Sequence, residues 1–146
     1  MNQEIPIGCD HAGYKMKIYL MEKLSSEGYH FHDYGTFSEE SVDYPDFIHP
    51  VAKAVNDGTF QIGIVLCGSG IGASLVANKY SKVRAALCWN EEIAKLSRQH
   101  NNANVISLPA RFITFEEALT MVRTFFATPF EGGRHERRVE KINPVL

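Results

Sequence analysis

Short apolar runs rich in β-forming residues alternate along this chain with segments whose apolar positions recur every three or four residues. Five runs read as strands: Glu4 to Cys9, Tyr29 to Asp33, Gln61 to Leu66, Val83 to Leu87 and Val105 to Leu108. Helices are expected over Lys15 to Glu27, Pro45 to Asn56, Gly72 to Lys79, Glu91 to Arg98 and Phe115 to Ala127. The first carries Met16, Tyr19, Leu20 and Leu24 on one face and stops at Gly28. Asn90 sits where an N-cap is wanted before Glu91 and Glu92, and Thr114 with Glu117 has the spacing of a capping box.

Such alternation is the pattern of βαβ units around a parallel sheet. The expected class is therefore α/β, a Rossmann-like three-layer sandwich with a five-stranded parallel sheet and a C-terminal helical tail. A length of 146 residues with 45% hydrophobic and 22% charged side chains fits one globular domain with a real core, and excludes disorder and coiled coil. There is no internal repeat or low-complexity linker, so residues 1–146 read as a single domain. From Glu131 the composition turns to glycine and arginine, and residues 131–146 are expected to form an arginine-bearing tail that leaves the domain.

A net charge of -2 argues against general affinity for nucleic acid, so any basic site must be local. Three cysteines at irregular spacing do not make a disulfide framework, and the N-terminus has no basic region followed by an apolar stretch. The expectation is a reduced, cytoplasmic protein. No apolar run reaches the length of a membrane span.

In open parallel sheets, ligands bind beyond the carboxyl ends of the strands. Asp10 and His11 follow the first predicted strand, Cys67 and Ser69 the third, and Arg111 the fifth, while the fourth helix runs into His100, Asn101 and Asn102. The richest stretch is Val65-Leu66-Cys67-Gly68-Ser69-Gly70-Ile71-Gly72. Gly68, Gly70 and Gly72 open the backbone N–H groups to an anion, and the start of the next helix favours a thiolate at Cys67. Between the second strand and its helix, Asp43 is placed to accept from sugar hydroxyls and Tyr44 to flank a ring.

Each of these residues also has a plainer reading. Buried cysteine is common, and Cys9 and Cys88, which lack a glycine loop, are assigned to packing. Asp10 suits a helix or turn cap, and His30, His32 and His49 read as structural or solvated. A zinc site built from the three cysteines lacks any close ligand pair, so no metal is expected. Arg134 and Arg138 fit a solvated basic face, but four apart on a helix they are also able to grip one phosphate together.

The chain also resembles the ribose 5-phosphate isomerase B and galactose 6-phosphate isomerase subunit family of sugar-phosphate isomerases. The likeness spans nearly its whole length, through Gly8-Cys9-Asp10-His11-Ala12-Gly13, Asp43-Tyr44-Pro45, Cys67 to Gly72, Ala77-Asn78-Lys79, Ser97 to Asn101, and Gly132-Gly133-Arg134-His135 leading to Arg138-Val139. The resemblance implies an aldose–ketose isomerase that moves a proton between C1 and C2 through an enediolate, without metal or organic cofactor. It implies Cys67 as base, Ser69 as a proton relay, His100 with Asp10 in ring opening, and the N–H groups of Gly70, Ile71 and Gly72 around the enediolate oxygen. Gly68, Asp43, Tyr44 and Asn101 join the substrate site, and His11, Arg111, Arg134 and Arg138 supply the positive charge for phosphate. It further implies a homodimer or homotetramer with shared active sites, the arginine-bearing tail of one subunit completing the site of its neighbour.

Ribose 5-phosphate is the favoured substrate, with allose 6-phosphate or galactose 6-phosphate as alternatives. A non-catalytic sugar-phosphate sensor is the reading from another class. A dinucleotide oxidoreductase is disfavoured, because Gly8 to Gly13 lacks the required glycine spacing.

Overall fold

The computed structural model describes residues 4–146. Five strands, β1 (Glu4–Cys9), β2 (His30–Asp33), β3 (Gly63–Cys67), β4 (Ala85–Leu87) and β5 (Val105–Pro109), pair in parallel in the order β2-β1-β3-β5-β4. The central strands β3 and β5 are buried at every residue, as strands covered on both faces are, and both are apolar but for Ser107 of β5. The expected α/β class with five parallel strands is what the chain adopts.

Six helices accompany the sheet: α1 (Tyr14–Ser25), α2 (Tyr44–Asn56), α3 (Ile71–Ala77), α4 (Glu91–Gln99), α5 (Phe115–Ala127) and α6 (Arg134–Glu140). Strand order and the right-handedness of crossovers decide which face each helix covers. α1 and α4 carry the chain in one direction across the sheet and α2 and α3 carry it back, so the two pairs lie on opposite faces. The core divides accordingly. One cluster joins Met16, Leu20, Leu24, Ala94 and Phe125 to Ile5, Ile7 and Ile106, and the other joins Ile48, Val51, Ala73 and Ala77 to Val65 and Val105.

The expected caps form. Asn90 Oδ1 accepts from the Ile93 N–H at 2.9 Å, and Thr114 and Glu117 make both bonds of the capping box. One charge lies deep in the fold: Lys17, one helical turn before Leu20, is fully buried. Its Nζ donates to Asp33 Oδ1 and to the Thr36 carbonyl, both at 2.6 Å, which ties α1 to the loop after β2. Among the described residues no helix is long and apolar enough to cross a membrane.

Candidate active site

The chain turns back at β1 and β3. β2 lies outside β1, and α2 returns the chain across the sheet to β3, so the crevice beyond the carboxyl ends of β1 and β3 is the switch point where open sheets bind ligands. A cleft of about 510 Å³ opens there, lined among others by Asp10, Tyr44, Cys67, Ser69, Gly72 and Arg111. These sequence candidates therefore meet in space.

Cys67 ends β3 with only 5% of its surface exposed, and it faces this cleft. The other two thiols face packing: burial pushes Cys9 up to about 12 and Cys88 up to about 11. The three cysteines do not gather into a metal-ligating group among the described residues.

Glycine is dictated at two positions of the loop after Cys67. Gly70 has φ +73°, and a Cβ there would meet Leu87 Cδ1 at 2.5 Å and the Leu108 carbonyl carbon at 3.1 Å. At Gly72 a Cβ would run into the Tyr44 ring at 2.6 Å, so Tyr44 closes over the loop only because that side chain is missing. The loop is braced from beneath. Ser107 Oγ donates to the Gly70 carbonyl at 2.7 Å, and the Ala110 and Arg111 N–H groups donate to the carbonyls of Cys67 and Gly68 at 3.0 Å. This second pair holds Arg111 across Gly68 at the mouth of the cleft.

The polar groups are directed by their own hydrogen bonds. Asp10 Oδ1 accepts from the N–H groups of Ala12 and Gly13, so its cap role and its place in the cleft coexist, with the second carboxylate oxygen not engaged by the cap. His11 Nδ1 accepts from the Val42 N–H at 3.1 Å, which puts the proton of the neutral ring on Nε2 as a donor. Ser69 Oγ accepts from the Ile71 N–H at 3.2 Å, leaving its own hydroxyl proton free to donate. The Ile71 N–H is thus spent on Ser69, while those of Ser69, Gly70 and Gly72 along the loop remain open. Asp43 is exposed at the start of α2 and makes no cap bond.

The remaining candidates lie elsewhere. α4 begins beyond the carboxyl end of β4 and runs back, so His100 and Asn101 precede β5 at the opposite end of the sheet from Cys67. Four rises of about 3.3 Å separate Val105 from Pro109, so the two ends of β5 are roughly 13 Å apart. The tail docks beside His100: the Glu131 N–H donates to the Gln99 carbonyl at 3.1 Å, and the His100 and His135 rings stack with centroids 4.3 Å apart. Burial holds the His135 imidazole below its ordinary value, with His100 and Arg134 adding to the effect. Arg134 and Arg138 are exposed on α6. One chain therefore holds two separate groups of candidates, a thiol cleft at one end and a His100–arginine group at the other.

The family model described as Ribose/Galactose Isomerase matches residues 5–142. This chain belongs to that family. Ribose-5-phosphate isomerase B of Escherichia coli (strain K12) is 40% identical over 143 residues, 98% of this chain and 96% of the relative. A solved ribose 5-phosphate isomerase from Thermotoga maritima superposes with a TM-score of 0.95 at 47% identity, covering 98% of this chain and 99% of the other. Ribose-5-phosphate isomerase B from Mycoplasma genitalium, solved with bound ribulose-5-phosphate, gives 0.91 at 41% identity, covering 95% and 93%. The sequence landmarks of the resemblance fall on both groups of candidates, at the two ends of the sheet.

Sequence reasoning missed four contributors. Phe112 and Leu75 rim the cleft with exposed apolar surface. Phe112 directly follows Arg111 beyond a strand end, so the rule that found Arg111 also reaches it. Glu131 and His135 sit against His100, and their i,i+4 spacing was the available signal.

Proposed function

We propose that this protein interconverts ribose 5-phosphate and ribulose 5-phosphate in a site assembled from two copies of the chain. The observation that carries this reading is Cys67, a thiol facing the switch-point cleft under a glycine loop with open N–H donors, while Cys9 and Cys88 are locked in packing. One copy supplies that cleft, and a second supplies His100, Asn101, Arg134 and Arg138, which its own chain holds away from Cys67. The exposed rim of Ile71, Leu75 and Phe112 favours being covered by another chain.

The chemistry then follows the geometry. His100 of the second copy, with Asp10, moves the protons that open the sugar ring. The Cys67 thiolate removes the C2 proton of the open aldose, the C2–H electrons form the C1=C2 bond, and the carbonyl oxygen becomes an enediolate oxygen facing the Gly70 and Gly72 N–H groups. Ser69 accepts the O2 proton and delivers its own to O1, and Cys67 returns its proton to C1 to give the ketose. Asp43 and Tyr44 hold the sugar hydroxyls and chain. The phosphate lies between His11 Nε2–H, Arg111 and the second copy's two arginines, so binding energy far from the reacting carbons positions the substrate.

The test is ribulose 5-phosphate formation by the purified protein, beside allose 6-phosphate and galactose 6-phosphate, repeated with Cys67→Ala. Pentose turnover that disappears in the variant supports the reading, and the substrate ranking fixes the sugar. Binding of the sugar phosphates without isomerisation of any would favour the sensor instead.

A further inference from the structure

Away from the cleft, the described residues contain one group of side chains able to hold a metal ion: His100, Glu131 and His135, at the junction of α4 and the tail. His135 Nε2 lies 3.4 Å and His100 Nε2 4.0 Å from the same oxygen, Glu131 Oε1. All three potential donor atoms lie within 4.8 Å of one another. Backbone bonds fix the frame on which they sit. The His100 N–H donates to the Leu96 carbonyl, the Glu131 N–H to the Gln99 carbonyl and the His135 N–H to the Gly132 carbonyl.

The donor set selects the kind of ion. Two imidazole nitrogens and one carboxylate suit zinc and its first-row neighbours, whereas magnesium and calcium prefer oxygen alone. A tetrahedral ion with ligands at roughly 2.0–2.1 Å brings donors to about 3.3 Å from one another. The His100 and His135 rings stack at 13°, so their in-plane nitrogen lone pairs run side by side, and binding one ion turns the 40% exposed His100 ring out of the stack and draws in the 48% exposed Glu131, while His135 at 10% stays fixed. Arg134 and Arg138, beside His135 on α6, carry charge that opposes a cation here and weakens its hold.

We propose that His100, Glu131 and His135 bind a divalent transition-metal ion of the zinc class, and that the occupied site withdraws His100 from the sugar ring and reversibly inhibits the enzyme. The inhibition rests on the role given to His100 above; the binding does not.

Titration calorimetry on the full, tag-free chain, stripped with a chelator and carrying Cys67→Ser to remove the thiol's own affinity for zinc, tests the site. Zinc chloride is expected to bind one ion per chain and magnesium chloride none. Glu131→Gln and His135→Gln, with folding checked by circular dichroism, are each expected to weaken zinc binding at least ~10-fold, since even an outer partner of a metal ligand is worth that much. Equal zinc affinity in both variants and the parent overturns the site. With Cys67 intact, zinc is expected to slow pentose turnover, a chelator to restore it, and Glu131→Gln to need at least ~10-fold more zinc for the same inhibition relative to its own metal-free rate. Zinc binding without inhibition overturns the regulatory half, and His100→Ala turnover without zinc reads the role of His100 separately. Turnover that depends on His100 with no zinc binding overturns the site and leaves the isomerase reading in place.

Discussion

The proposed shared site makes a quantitative prediction about mixed assemblies. With the ends of β5 roughly 13 Å apart, His100 cannot reach a sugar held at Cys67 of its own chain. On the proposed mechanism, Cys67→Ala and His100→Ala homodimers should then both be inactive, the first lacking a base in each cleft and the second lacking the ring-opening group at each. Random reassortment of equal amounts gives half heterodimers. In a heterodimer, one site combines the cleft that has lost its thiol with the end that has lost its imidazole and is dead, while the other combines an intact cleft with an intact His100. Half the dimers with one live site of two restores about a quarter of wild-type activity per chain, in a symmetric dimer or in a tetramer made of such dimers. The assay is ribulose 5-phosphate formation after co-expression of differently tagged variants, with tandem purification to confirm the hetero-assembly. Heterodimers isolated in good yield that remain as inactive as either parent would refute the shared site.

Three further outcomes follow from other parts of the structure. At about pH 8 iodoacetamide should label Cys67 alone in the native protein, because with thiols near 12 and 11 fewer than about one in a thousand of Cys9 and Cys88 is ionised; peptide mass mapping reads this, and labelling of Cys9 at a comparable rate would contradict the burial argument. Gly70→Ala should lower stability by about 2–4 kcal/mol in denaturant unfolding, combining the left-handed backbone with the collision at Leu87 and Leu108, and a loss below measurement would mean the loop relaxes freely. Lys17→Met should cost about 3–5 kcal/mol, because it leaves Asp33 and the Thr36 carbonyl without the cation between them; unchanged unfolding would show that water replaces it.

Most elements were legible because their signals were local. α5 runs over Phe115–Ala127 as its capping box and apolar spacing predict. At two strand boundaries that differ, a distant partner decided them: the β3 ladder opens at Gly63, whose N–H donates to the Asn104 carbonyl, so Gln61 and Ile62 stay outside. β4 shortens to three residues because the Arg84 N–H is taken by the Asn104 side chain instead of a strand neighbour. Strand order was not legible, since no local pattern states that β5 inserts between β3 and β4. The polar cleft residues Asp10, Cys67, Ser69 and Arg111 were legible because they end or closely follow strands, whereas Leu75, within α3, carries no such signal.

His100 exposes the limit of that reasoning and also its remedy. It was grouped with the strand-end residues on chemistry, yet it follows a helix and precedes a strand, and in a parallel βαβ unit every helix-to-strand turn lies at the opposite end of the sheet from every strand-to-helix turn. Alternation alone therefore implies that Cys67 and His100 cannot share a cleft within one chain. If both serve the same sugar, the assembly must place the carboxyl end of one sheet against the amino end of another, and a two-fold axis that does this once does it twice. The order of elements along a single chain thus predicts that a site using both groups is shared between two copies.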